Sequence, residues 1–116
     1  MRTFSDEMKM AWTTLLARYR ELIWTGELGT WPQYYGKGDH CLLCLAAERR
    51  CRLCVLGPND AGCLHDAHHG TYVCLQELLG LADDAGDTTA SAEIIDAAKA
   101  RLGHLEAVGR RYGLNE

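Results

Sequence analysis

Five cysteines in a short central stretch are the residues of this chain best suited to chemistry. Their spacing is Cys41-x2-Cys44-x6-Cys51-x2-Cys54-x8-Cys63. A C-x2-C pair can turn two thiolates towards one ion, and tetrahedral zinc takes four such ligands at about 2.3 Å. The sequence therefore predicts a structural zinc ion held by four of these five cysteines. The spacing leaves open which four bind.

Other uses of the cysteines are less well supported. A second ion could bind if nearby histidines joined the ligands, namely His40, His65, His68 and His69. An iron–sulfur cluster also takes four thiolates, but none of the ferredoxin spacings matches. A redox C-x2-C motif needs a thioredoxin-like βαβ setting, which the sequence does not indicate.

A catalytic zinc is an alternative interpretation, because three histidines lie close to an aspartate. His65, His68 and His69 flank Asp66, and a catalytic ion would keep one position open for water. The cysteines, however, already complete a four-ligand shell, which is typical of structural sites. We therefore interpret the histidines as part of a surface loop and predict that the protein is not an enzyme.

The cellular compartment determines whether clustered cysteines bind a metal ion or form disulfides. Charged residues interrupt the first ten positions, where a secretory signal would be apolar. No apolar run approaches the roughly 20 residues that span a bilayer. We expect a cytoplasmic protein with no membrane partner, in which clustered cysteines favour metal over disulfides.

Three helices are predicted to surround the cysteines. The first covers 5–25, with Ser5 as its N-cap and Gly26 as its stop. A nearly all-apolar helix over 71–82 is expected to be buried between the other two, with Cys74 in the core. The last helix covers 90–112 with a stripe at spacings of three and four, comprising Ile95, Ala98, Leu102, Leu105, Gly109 and Tyr112.

The segment 26–70 has no sustained helical period beyond one short piece around Leu43 to Arg50. Irregular stretches of this length are uncommon in compact domains unless something holds them. Zinc can contribute on the order of 10–16 kcal/mol to the folding of a small module. The prediction is one mainly α domain over 1–116, with two longer helices and one buried helix around a zinc-stabilised, irregular, cysteine-rich loop.

Two groups of residues could contact a partner. The first is the aromatic group of Trp31, Tyr34 and Tyr35, since aromatic side chains often anchor interfaces, although local packing over the metal loop is the simpler explanation. The second is basic and comprises Arg49, Arg50 and Arg52, which could contact phosphates. The net charge of −4 argues against general polyanion binding.

A resemblance follows from the order of these motifs. The run Trp24, Gly26, Cys41-Leu-Leu-Cys44, Cys51-Arg-Leu-Cys54-Val, Gly62-Cys63 and Thr71-Tyr72, followed by a helix, resembles a family of small uncharacterised bacteriophage and prophage proteins. That family usually has Cys-Pro-Val in the second pair and Thr-Pro-Tyr after the last cysteine, and this chain departs from both. The resemblance implies a phage-like origin and recurring cysteines, and it implies no activity.

The function expected from the sequence is a protein–protein interaction module stabilised by zinc. Its expected partner is a host protein in the host cytoplasm, such as a defence or transcription complex that the module inhibits or modulates. This expectation is an analogy with other small phage-like proteins. The alternative is a nucleic-acid-binding zinc module that uses Arg49, Arg50 and Arg52.

Overall fold

The computed structural model describes residues 3–32, 43, 46–48, 55 and 70–114 of the 116-residue chain. These residues contain three long helices, α1 (Asp6–Thr25), α2 (Gly70–Ala85) and α3 (Ala92–Tyr112). Within the described ranges, β pairing is limited to one isolated bridge. The mainly α class and the three predicted helices are therefore confirmed.

Helix α1 begins and ends at the residues that the sequence indicates. The Ser5 hydroxyl accepts a hydrogen bond from the Met8 amide at 3.1 Å, which satisfies one of the free N–H groups of the first turn. At the other end Gly26 has φ 69°, and its amide donates to the Leu22 carbonyl at 2.9 Å. Glycine tolerates this left-handed conformation, so the helix stops there.

An apolar stripe on α1, whose members recur at alternating spacings of four and three residues, forms the centre of the core. Its five members are each at most 1% exposed: Met8, Trp12, Leu15, Tyr19 and Leu22. Burying a large apolar side chain contributes about 1.5–3 kcal/mol. This face therefore supplies much of the energy that holds α1 against the remainder of the fold.

Helix α3, and not α2, is the central helix among the described residues. It packs against both α1 and α2, so the prediction of a buried second helix between the other two was wrong. Helix α2 buries Leu75 and Leu79, whereas Leu81 is 66% exposed and Cys74 is exposed. The expectation that Cys74 is a core residue was also wrong, because its side chain is exposed. Successive residues of a helix are rotated by about 100° around its axis. A helix that packs along one side therefore leaves the apolar residues of its other sides exposed to solvent.

Helix α2 also continues three residues past its predicted end. It closes with the hydrogen-bond pattern of a Schellman motif. The Gly86 amide donates to the Asp83 carbonyl at 3.1 Å, and the Asp87 amide donates to the Ala82 carbonyl at 2.9 Å. Gly86 has φ 71°. The helix therefore continues through Asp83 and Asp84 and ends before the glycine.

Helix α3 begins after Ser91, whose hydroxyl accepts a hydrogen bond from the Ile94 amide at 3.2 Å. Its buried face is displaced from the predicted stripe. Ile94 is 3% exposed and Arg101 is 1% exposed, whereas Ile95 and Leu102 are only half-buried. The prediction followed hydrophobicity, and it missed that Arg101 lies three residues after Ala98 on the same face.

A short antiparallel pairing connects the end of α1 to the start of α3. The Leu28 amide donates to the Thr88 carbonyl at 3.0 Å, and the Ala90 amide donates to the Gly26 carbonyl at 2.7 Å. Leu28 is completely buried. The chain is therefore fixed against the helices at the point where it enters the cysteine-rich segment.

Candidate metal centre and partner surface

Most of the predicted functional residues lie outside the described residues. They are Cys41, Cys44, Cys51, Cys54, Cys63, Tyr34, Tyr35, Arg49, Arg50 and Arg52. In the part of the chain that the structure describes, no group of three or more His, Cys, Asp or Glu side chains could hold a metal ion. The zinc site therefore stays a prediction.

Two residues beside the predicted ligands are nevertheless fixed in the core. Leu43 lies between Cys41 and Cys44, and Val55 directly follows Cys54. Both side chains are 0% exposed and belong to the same hydrophobic cluster as the three helices. One residue inside the first C-x2-C segment and one directly after the second are thus held against the helices. The sulfur-only donor set suits a closed structural zinc site.

A helical turn begins at Leu43, within the first cysteine pair. The Ala47 amide donates to the Leu43 carbonyl at 2.9 Å, and Ala47 is 2% exposed. The turn ends at Glu48, which is exposed and has φ 54°. This left-handed conformation costs a residue with a side chain roughly 1–2 kcal/mol, so Glu48 occupies a position that glycine would adopt more easily.

Trp31 is the one predicted partner residue in the described part of the chain. Its ring contacts the ring of Tyr19, with centroids 4.9 Å apart and planes inclined at 65°. Trp31 is half-buried, and its amide donates to the Leu28 carbonyl at 2.9 Å. These contacts support the alternative in which Trp31 packs locally, and they leave part of its surface accessible.

Exposed apolar side chains on α1 form a surface that the sequence analysis missed. Trp24 is 89% exposed and Met10 is 71% exposed. Together with the exposed Ala17 they recur every seven residues, which places them along one side of the helix. The sequence does contain an indication of this surface, because Trp24 does not follow the spacing of three and four residues that the buried stripe of α1 shows. We call Met10, Ala17 and Trp24 the outer stripe.

A groove of about 460 Å³ lies beside the outer stripe. Helix α1 and the residues after α3 form it, and its lining is Lys9, Trp12, Thr13, Leu16, Arg20, Gly113 and Leu114. Its lining includes the apolar side chains of Trp12 and Leu16, which are 1% and 4% exposed. The rim carries two cations, Lys9 and Arg20, and none of the lining residues that the structure describes is acidic.

One cation of the groove is held by an ion pair across the helices. The Arg20 Nη2 atom lies 3.1 Å from the Glu106 Oε2 atom on α3. This pair is partly solvated, with the Arg20 side chain 55% exposed, so its own contribution to stability is small. Its structural effect is to orient a guanidinium that has further N–H donors available.

Comparison with protein-family models, with curated proteins and with solved structures finds no match to this chain. Among the described helices, none combines the length and apolar character that crossing a lipid bilayer requires.

Proposed function

We propose that this protein is a small, phage-like interaction module in which zinc has a structural role and the helices present a surface to a host protein. The observation that carries the structural part is the complete burial of Leu43 and Val55 beside the two cysteine pairs. A metal beside such anchors would fasten the long connection between α1 and α2 to the helical core.

Zinc would be held by four of Cys41, Cys44, Cys51, Cys54 and Cys63. A closed shell of thiolates contributes folding energy and leaves no position for substrate or activated water. This donor chemistry favours a structural ion, and the proposal accordingly assigns no reaction to it.

The interaction role is supported by the outer stripe. Tryptophan is enriched among the residues that dominate binding energy at protein interfaces, and Trp24 keeps 89% of its surface exposed on a long, well-capped helix. A large ring on a rigid helix loses little conformational freedom on binding. The same helix buries its opposite side, so partner binding need not disturb the core.

Two measurements test the proposal. Elemental analysis of protein purified without added metal should find close to one zinc per chain, and less than about half an equivalent would refute the structural role. Affinity capture from a bacterial host lysate should then recover a protein in stoichiometric amount. That recovery should be lost with Trp24→Ala and retained with Leu81→Ala, which removes another exposed apolar side chain, on α2. Recovery of nucleic acid alone would refute the interaction role.

A further inference from the structure

We infer that the groove between α1 and the end of α3 binds an extended, acidic segment of a partner protein, with an apolar side chain between two carboxylates. This inference rests on the proposed function, because it names the kind of partner that the helical surface takes. It concerns a different set of residues from the outer stripe, so the two can be tested separately.

The shape of the groove favours an elongated occupant. Lys9 and Arg20 are eleven residues apart on α1, and a rise of 1.5 Å per residue separates their Cα atoms by about 16 Å along the helix axis. An extended peptide advances about 3.3 Å per residue. Five extended residues therefore span about 13 Å between their first and last Cα atoms, and the long side chains of lysine and arginine cover the difference.

The charges favour a carboxylate at each end of that segment. Lys9 and Arg20 are exposed, and the described residues that line the groove include no acidic side chain. Arg20 donates one N–H to Glu106, but a guanidinium has five N–H donors and can take a second carboxylate. The Glu106 contact holds it in place for that purpose.

Two apolar residues line the groove where the middle of the segment would lie. Trp12 and Leu16 are 1% and 4% exposed and lie between the two cations along α1. Leu114 also lines the groove, after Gly113 turns the chain out of α3 with φ 68°. In an extended peptide alternate residues face the same side, so the first, third and fifth side chains would enter the groove together.

The position of the outer stripe next to the groove adds a further argument. Trp24 lies four residues after Arg20, one turn further along the same side of α1. A partner segment that leaves the groove beyond Arg20 would therefore meet the exposed indole. The groove would supply charge selectivity, and Trp24 would supply buried apolar area.

The test uses the full-length, zinc-loaded protein and a synthetic peptide, acetyl-Glu-Ser-Leu-Thr-Glu-amide. Titration followed by amide chemical shifts should show saturable binding, with the largest shifts at Thr13, Gly113 and Leu114. Lys9→Gln and Arg20→Gln should each weaken binding about threefold, the size of one exposed ion pair. Lys99→Gln removes the same charge from an exposed position of α3 and should leave the affinity unchanged.

Control peptides separate groove binding from general charge attraction. Replacing both glutamates by glutamine, or the central leucine by serine, should weaken binding. Equal binding of either control peptide, equal weakening by Lys99→Gln, shifts confined to other surfaces, or no binding at all would overturn the inference. Such results would leave the proposed function standing if the Trp24-dependent capture of a host protein still succeeds.

Discussion

The ring of Trp31 packs edge-on against the buried ring of Tyr19, with a centroid separation of 4.9 Å. Tyr19 is at the centre of the α1 stripe and is 0% exposed, whereas Trp31 stands at the start of the cysteine-rich segment. This contact, together with the pairing of residues 26–28 with 88–90, fixes the direction in which the chain leaves the helices. It therefore helps to position whatever the following residues bind.

Removing this contact should destabilise the fold measurably. Trp31→Ala deletes a half-buried ring and an edge-to-face pair, and we expect a loss of about 1–3 kcal/mol of unfolding free energy. Trp24→Ala removes a ring of the same size that is 89% exposed, and it should change stability by at most about 0.5 kcal/mol. Urea denaturation followed by circular dichroism measures both. Equal losses in the two variants would contradict the packing role of Trp31.

Local signals in the sequence were sufficient to predict the helices. Ser5 and Ser91 cap α1 and α3 through their hydroxyls, and Gly26 stops α1 as expected. These features depend on residues close in sequence, whose chemistry determines whether a helix can start or end. The predicted bounds differ from the observed ones by at most three residues, and the largest difference is at the end of α2.

Features that depend on tertiary packing could not be read in the same way. Cys74 and Leu81 are apolar by type but exposed, because which side of α2 meets α3 is set by the other helices. Arg101 is buried for the corresponding reason. The groove likewise depends on how the chain turns at Gly113 towards Lys9, a long-range relationship that periodicity does not encode. The zinc ligands remain a prediction from spacing alone.

Two alanine substitutions at glycines should have opposite effects. Gly86 ends α2 with φ 71°, so Gly86→Ala should cost about 1–2 kcal/mol even though no atom lies within 4 Å of the added Cβ. Gly103 lies inside α3 with open space around it and no positive φ. Gly103→Ala should stabilise the protein by about 0.5–1 kcal/mol through helix propensity. Thermal unfolding of both variants shows whether each substitution lowers or raises the stability of the protein. Stabilisation by Gly86→Ala would show that the end of α2 is not held in the left-handed conformation.

Glu48 provides a test within the cysteine-rich segment. Because it adopts φ 54°, Glu48→Gly should relieve backbone strain and raise the unfolding free energy by up to about 1 kcal/mol, after the larger entropy of glycine in the unfolded chain is deducted. Glu48→Ala removes the same charge but keeps the Cβ atom, and it serves as the matched control. Chemical denaturation of the zinc-loaded protein should rank glycine above alanine. The reverse order would contradict the left-handed turn after Ala47.

The last prediction concerns the coupling between the core and the predicted metal. Leu43→Ala and Leu79→Ala each remove the same atoms from a side chain that is 0% exposed, and each should cost about 2–5 kcal/mol of unfolding free energy. Only Leu43 lies between two predicted ligands. Zinc affinity includes the free energy of ordering the ligands, so Leu43→Ala should also weaken zinc binding. If about 1.4 kcal/mol of the lost stability is needed to order the ligands, zinc affinity should fall at least about tenfold.

Competition with a chromophoric chelator measures this affinity, under conditions where all the proteins remain folded. Leu79→Ala should bind zinc nearly as tightly as the unmodified protein, because its cavity lies on α2 and not beside a cysteine pair. Val55→Ala, next to Cys54, should fall between the two, since it deletes fewer atoms from an equally buried site. If Leu79→Ala weakened zinc binding as much as Leu43→Ala, the effect would be one of global stability. The buried leucine would then not act as the anchor of the metal site.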